Sequence, residues 1–272
     1  MYRENLTEKT FVFSFYLTDD YMTNRANRIH FRCIDHYSHI FDRIIVDIHT
    51  NNYKEKKDTI LELEKYLLTI LHSDNVTFKA RETNAFCEAE TFYKEIVVNM
   101  KYKNGLYFFG HNKGITNYER VGPEYQKSID SWIIGMYYLG LNFPKEAEGK
   151  MIAQARYFYG GPKLKWISEE YGDTDRFYYA GTFYWTNPTL IAHDTESDNF
   201  FLERGFAEQF PCFFSNQYRA DSHNNAHITT CGDVYLQADE CIDFLLSNKD
   251  EKAEYEQLFN SIINNLGEDT TI

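Results

Sequence analysis

The pentapeptide Gly110-His111-Asn112-Lys113-Gly114 follows directly on the apolar run Leu106-Tyr107-Phe108-Phe109. An imidazole and an ammonium between two glycines, at the end of a core strand, offer a mobile positive charge and a second donor. That pair suits a pyrophosphate, or the negative charge that develops on one during a reaction. The glycines would let the backbone approach a ligand closely. The same string also reads as a glycine-bounded turn with solvent-facing His and Lys, because short motifs have many accidental matches. The G-x-x-x-x-G-K-[ST] phosphate loop is absent here, and no G-x-G-x-x-G follows the first predicted strand, which argues against a nicotinamide enzyme.

Other groups of residues carry possible chemistry. In FYYAGTFYWTNP, Gly181 is flanked by Tyr178, Tyr179, Phe183, Tyr184 and Trp185. Such rings can form a flat wall for the C–H faces of a sugar, with Thr182 and Asn187 for its hydroxyls, or they can simply fill a core. Asp173 and Asp175 form a D-x-D that can bind a metal ion or cap a solvated turn. His223 and His227 stand at i and i+4, a metal spacing on a helix. The asparagines between them, and the lack of a Glu after the first His, favour a loop pair instead.

The elements that must position these residues read as an alternating series. KTFVFSFYL is a β-branched and aromatic strand stopped by Thr18-Asp19-Asp20. NRANRIHFRCIDHYSHIF has helical spacing; DRIIVDIHT is a second buried strand; KKDTILELEKYLLTILHS is an amphipathic helix. NVTFKARET is a third strand, AFCEAETFYKEIVVNMKY a third helix and GLYFFGHNKG a fourth strand. Four strand–helix alternations with short links predict a parallel, Rossmann-like α/β sheet covered on both faces. Ligands of such sheets bind beyond the carboxyl ends of the strands, so the polar strand tips are the expected site. Further on, a helix is expected from Tyr125 to about Leu139, an aromatic strand before Pro188, a helical turn closed by Pro211, and a surface helix in EKAEYEQLFNSIINNL.

Composition narrows the partners. The 272 residues carry a formal net charge of −13, which repels phosphate backbones and argues against general nucleic-acid binding. A local basic pocket for a small phosphorylated ligand is compatible with that charge. Five scattered cysteines with no C-x-x-C pair suit reduced thiols and give no zinc pattern. The first twenty residues are too polar for a signal peptide or a membrane span, so a cytoplasmic, soluble protein is expected, with weak attachment to the inner membrane surface left open. Tyr and Phe number 22 each against 3 Trp, so rings are plentiful enough to line a groove as well as a core.

The segments YFFGHNKGITNY, DSWIIGM (with Trp132 and Met136), FYYAGTFYWTNP and RGFAEQFP, in this order, resemble motifs of bacterial cell-surface polysaccharide and lipopolysaccharide glycosyltransferases with a GT-A-like fold. Those proteins show H-x-K-G after a hydrophobic strand, a W-x-x-x-M helix, a G-x-F-W-W-like segment and a later acidic residue. The match covers roughly residues 105 to 212, and the first hundred residues agree in fold pattern alone. His111, Lys113 and Gly114 fall on H-x-K-G; Gly181, Phe183 and Trp185 fall on the aromatic segment; Glu208 falls on the acid. Tyr184 stands where the pattern more often has a second Trp.

The resemblance implies a mostly parallel GT-A-like sheet flanked by helices, in one domain over 1–272, with a nucleotide-binding half (1–118) and an aromatic-rich acceptor-binding half (119–272). It implies transfer of a sugar from a nucleotide-sugar to a glycan or lipid-linked acceptor. Lys113 and His111 would offset the charge of the leaving diphosphate. Glu208 would take the acceptor hydroxyl's proton if the reaction inverts; the plain reading of it is a surface Glu. Thr18, Asp19, Arg81 and Asn84 would meet the donor's base and ribose, and Asp19 and Asp20 could equally cap the next helix. Gly181, Thr182, Tyr184 and Trp185 would face the acceptor. Many such enzymes hold a divalent metal through D-x-D after the fourth strand. Here that place reads Gly110-His111-Asn112, so no metal ligand is assigned and dependence on Mn or Mg stays open. A non-catalytic glycan-binding protein and a sugar-phosphate transferase are the rival expectations.

Overall fold

The computed structural model describes residues 8–71, 74–83, 87–98, 105–112, 126–142, 145–153, 158–160, 164–166, 177–179, 183–188, 207 and 249–266. Strand β1 (Lys9–Tyr16) alternates Phe11, Phe13 and Phe15 on one face with Thr10, Val12 and Ser14 on the other, all buried. A strand covered on both faces is what a parallel sheet requires. Helix α1 (Arg25–Tyr37) follows, capped by Asn24, whose Oδ1 accepts from the backbone N–H of Ala26 at 3.1 Å. Strand β2 (Arg43–Thr50), helix α2 (Lys57–Ile70) and strand β3 (Val76–Glu82) continue the alternation. Helix α3 (Cys87–Thr91) passes into a π-helix (Phe92–Val97) before strand β4 (Leu106–His111).

The later elements are α4 (Gln126–Leu141), α5 (Lys145–Ala153), β5 (Phe158–Gly160), β6 (Leu164–Trp166), β7 (Phe177–Tyr179), β8 (Tyr184–Thr186) and α6 (Lys249–Asn265). Among the described residues the main sheet has the order β3-β2-β1-β4-β8-β5, and β6 and β7 form a separate antiparallel pair. The first four strands are parallel; β8 runs antiparallel to both β4 and β5. The fold is therefore a mixed, mostly parallel α/β sheet. Among the described residues no helix is long and apolar enough to cross a membrane.

Helices lie on both faces, as the alternation predicts. On one, the α1 rings of His30 and Phe31 meet Phe13 and Phe15 of β1. Tyr137 of α4 meets Phe11, and α6 packs against α1 and α4, where Tyr255 donates to the Ser131 carbonyl. On the other face, Thr91 of α3 reaches Ser14 and Phe92 packs edge-on against Phe109. The expected surface helix near the C-terminus is amphipathic, burying Tyr255, Leu258 and Ile262. The expected third helix forms, but with a π-helical second half. The aromatic segment divides: β7 joins the small sheet and β8 the main one. The helical turn expected before Pro211 lies outside the described residues, apart from Ala207.

Gly110 has a cause other than ligand approach. A Cβ there would stand 2.8 Å from Cε1 of Phe183, which is fully buried. Phe183 is itself held by Tyr137, at 5.0 Å between ring centroids, and by His30, so it has little room to give. The glycine admits a ring from the β8 segment. Gly110→Ala is expected to destabilise the protein by about 1–3 kcal/mol through overpacking, read as a lower thermal midpoint.

Candidate functional site

The strand order reverses direction between β1 and β4, and in open parallel sheets that switch point is where ligands bind, beyond the carboxyl ends. The register places one row of polar residues across four strands just below those ends. Lys79 pairs with Asp47, Asp47 with Ser14, and Ser14 with His111. Arg81, His49 and Tyr16 form the row two residues further on. Both rows have the parity that faces α3.

The helix above supplies matching partners. Glu88, Thr91 and Glu95 stand at i, i+3 and i+7, and the π-helix, a form frequent at functional sites, carries the last of them. Glu88 Oε2 lies 2.7 Å from Nδ1 of His111. Thr91 Oγ1 lies 2.8 Å from Asp47 Oδ2, 2.6 Å from His49 Nε2 and 3.0 Å from Ser14 Oγ. A threonine hydroxyl has one proton, so a consistent assignment has Thr91 donating to Asp47 and accepting from His49 and Ser14. Glu95 accepts from Nη2 of Arg81 at 2.9 Å and pairs with Lys79, while Arg81 Nε donates to Asp47 Oδ1 at 2.8 Å.

Burial sets the electrostatics of this layer. Asp47 and His49 have no exposure, and Glu95 almost none. Burial pushes the Asp47 carboxyl up, but hydrogen bonding and charge from His49, the Arg81 guanidinium and the Thr91 hydroxyl outweigh it and hold the group below the usual aspartate range. Cys87, beside Glu88, has its thiol pushed up to about 11 by burial and by that carboxylate, so it is no nucleophile near neutral pH. Two imidazole nitrogens in the layer are buried without a hydrogen-bond partner: Nδ1 of His49 and Nε2 of His111.

The strand tips expected to bind a nucleotide divide into several fates. His111 is at the switch point with one ring nitrogen unspent. Lys113, Gly114, Asn84, Gly181, Thr182 and Glu208 lie outside the described residues, as do Asp173, Asp175, His223 and His227. Thr18 is at the β1 tip; its buried hydroxyl has no partner of hydrogen-bond geometry, yet it is the chief influence holding the Asp20 carboxyl below its ordinary value. Asp19 is exposed and paired with Lys56. The cap of α1 is Asn24, not Asp19 or Asp20. Arg81 is committed through Nε and Nη2 to Asp47 and Glu95, which makes it a neutraliser of buried carboxylates rather than a free nucleotide contact.

Tyr184 and Trp185 require a correction. Both are fully buried, so neither faces a surface that an acceptor could reach. Trp185 stacks on Phe41 with centroids 5.6 Å apart, touches Phe108, and donates from Nε1 to the Gly140 carbonyl at 2.7 Å. Tyr184 points to the opposite face, toward Phe92, and donates to the Ala207 carbonyl. Alternating rings here fill the two core layers.

At the end of β4, where the resembled enzymes carry D-x-D, the chain has Gly110-His111-Asn112. Asn112 Oδ1 accepts from the Tyr16 N–H, and its Nδ2 donates to the Tyr16 carbonyl and to Asn27, all at about 3.0–3.1 Å. Asn112 thus clamps the ends of β1 and β4 together. With no carboxylate in Gly110-His111-Asn112 and the asparagine spent, these residues do not fit a divalent cation, and no step is assigned to one.

Sequence reasoning missed Ser14, Asp47, Glu88, Thr91 and Glu95. A signal was present: polar residues at alternate positions inside otherwise apolar strands, as in RIIVDIHT, mark a polar layer under a helix. A groove lined by Glu8, Asp42, Arg43 and Asp74 to Thr77 opens at the amino ends of β1 to β3, the wrong end of a parallel sheet for a ligand site.

Compared with protein-family models, with curated proteins and with solved structures, the chain matches none. The fold and site define a mixed, mostly parallel α/β protein with a buried ionisable layer beneath its topological switch point.

Proposed function

We propose that the chain is a glycosyltransferase of GT-A-like fold that moves a sugar from a nucleotide-sugar to a glycan or lipid-linked acceptor in surface polysaccharide synthesis. The observation that carries this reading is the position of His111. It stands at the carboxyl end of β4, at the switch point, with Nδ1 on a carboxylate and Nε2 buried without a partner. The order of the H-x-K-G, W-x-x-x-M and G-x-F segments along the chain supports the same reading.

In this mechanism the donor's diphosphate lies across the tips of β1 and β4. His111 and Lys113, two residues on, stabilise the negative charge that builds as the bond between the anomeric carbon and the diphosphate oxygen breaks. Glu208 takes the acceptor hydroxyl's proton if the configuration inverts. The aromatic contribution to acceptor binding then falls to residues other than Tyr184 and Trp185.

The test is a donor screen with UDP-, GDP-, dTDP- and CMP-sugars by thermal shift and calorimetry, followed by mass analysis of the product. A product carrying a sugar supports the proposal; one carrying a sugar phosphate identifies the alternative transferase. Glycan binding without nucleotide affinity would mean a non-catalytic protein. Lys113→Ala is expected to lower kcat about 10²–10³-fold while keeping the melting temperature, the magnitude typical of one lost oxyanion donor. Normal turnover by that variant would remove Lys113 from the mechanism.

A further inference from the structure

The sheet gives His111 its place, but the helix opposite gives it an orientation. Glu88 Oε2 sits 2.7 Å from Nδ1, and the ring of Phe183 lies 6.3 Å away, centroid to centroid. A carboxylate is acceptor-only when ionised, so the proton of this contact is on Nδ1. In carboxylate–histidine pairs that contact fixes both the tautomer and the ring plane. Nε2 is then the one nitrogen left for a ligand, and it is screened from solvent with no bond made. Leaving a buried polar atom unsatisfied is costly, and a ligand oxygen bonding there would remove that penalty.

We propose that Glu88 is a positioning residue for His111, and that the pair forms a carboxylate–imidazolium–phosphate line when a diphosphate binds. The inference rests on the function proposed above and deepens it. With Nδ1–H held by Glu88, a neutral ring presents a lone pair at Nε2 and cannot donate to phosphate. Binding an anionic oxygen to a ring in that form takes up one proton, which goes onto Nε2. The imidazolium then lies between two anions and donates one hydrogen bond to each. Among the described residues, the charged group against the His111 ring is Glu88. The next charges on that sheet face are Asp47 and Lys79, two and three strands away in the same row. Cys87, next to Glu88 in the chain, stays a neutral thiol.

The experiment uses the full chain labelled with 15N-histidine, and the probes are inorganic pyrophosphate and UDP. In the free wild type, one histidine, absent from His111→Gln, should show the Nδ1–H tautomer. Pyrophosphate should convert that same residue to the doubly protonated signature. Glu88→Ala should lose the tautomer preference and bind pyrophosphate about 10–100-fold more weakly, the range for a hydrogen bond to a charged group. Glu88→Gln should keep the tautomer, because its amide oxygen still accepts from Nδ1–H, yet fail to reach the imidazolium state. A structural role alone would not separate these two variants. The proposal is overturned if pyrophosphate and UDP leave the His111 resonances unchanged, or if Glu88→Ala binds as the wild type does. If the His111 signature responds but no sugar is transferred from any donor, the dyad stands and the transferase reading fails. Sugar transfer with silent His111 resonances would do the reverse, keeping the transferase and removing the dyad.

Discussion

Replacing Trp185 by alanine is expected to lower the unfolding free energy by about 3–5 kcal/mol, the range for removing a large buried aromatic. The side chain has no exposure, stacks on Phe41, touches Phe108 at a tilt, and satisfies the Gly140 carbonyl with its indole N–H. Alanine would open a cavity between β8 and its aromatic neighbours and leave that carbonyl without its indole donor. Trp185→Phe should recover much of the packing but not the hydrogen bond, and so fall between the two. Denaturant unfolding measures both. A Trp185→Ala variant that unfolds like the wild type, but loses affinity for a glycan, would place the ring at a binding surface instead of in the core.

Asp47→Ala is expected to cost up to about 3–5 kcal/mol, the range for breaking a buried ion pair, because Arg81 loses one of its two carboxylates and Thr91 its acceptor. The stranded groups would be Arg81, which retains Glu95, and His49, which retains Thr91. Asp47→Asn keeps the shape and removes the charge, so it separates packing from electrostatics. The pH dependence follows from the lowered folded-state pKa. A carboxyl more acidic in the folded than in the unfolded chain contributes stability above its unfolded pKa, about 3.9. That contribution is lost as pH falls through the folded value. The gap between wild type and Asp47→Asn should thus be full near neutrality and shrink below about pH 4. Unfolding curves over that range measure it; a gap that grows in acid would contradict the assigned ionisation.

The α/β alternation and the four parallel strands were legible in the linear chain. Runs such as FVFSFY and RIIVDI are apolar on both faces, and only a strand covered twice can use them. The position of His111 at a strand tip was legible too, since the glycines and polar residues end the apolar run there. Local chemistry was enough for that, because burial and turn formation act over a few residues.

Contacts between distant segments settled what local pattern left open. A row of aromatic residues looks the same in a sugar-binding groove and in a core. What buries Trp185 and Tyr184 is the covering of β8 by Phe41 on one face and Phe92 on the other, residues far from it in the chain. Gly110 has its cause in Phe183, more than seventy positions later. Arg81 pairs with Asp47 because β2 and β3 lie side by side in a particular register. Glu88 meets His111 because α3 packs on the face of β1, the strand beside β4. Hydrogen bonds and ion pairs have a reach of a few ångströms, so the partners of a buried charge are fixed by which strands and helices the fold makes neighbours, and the linear pattern carries no record of that choice.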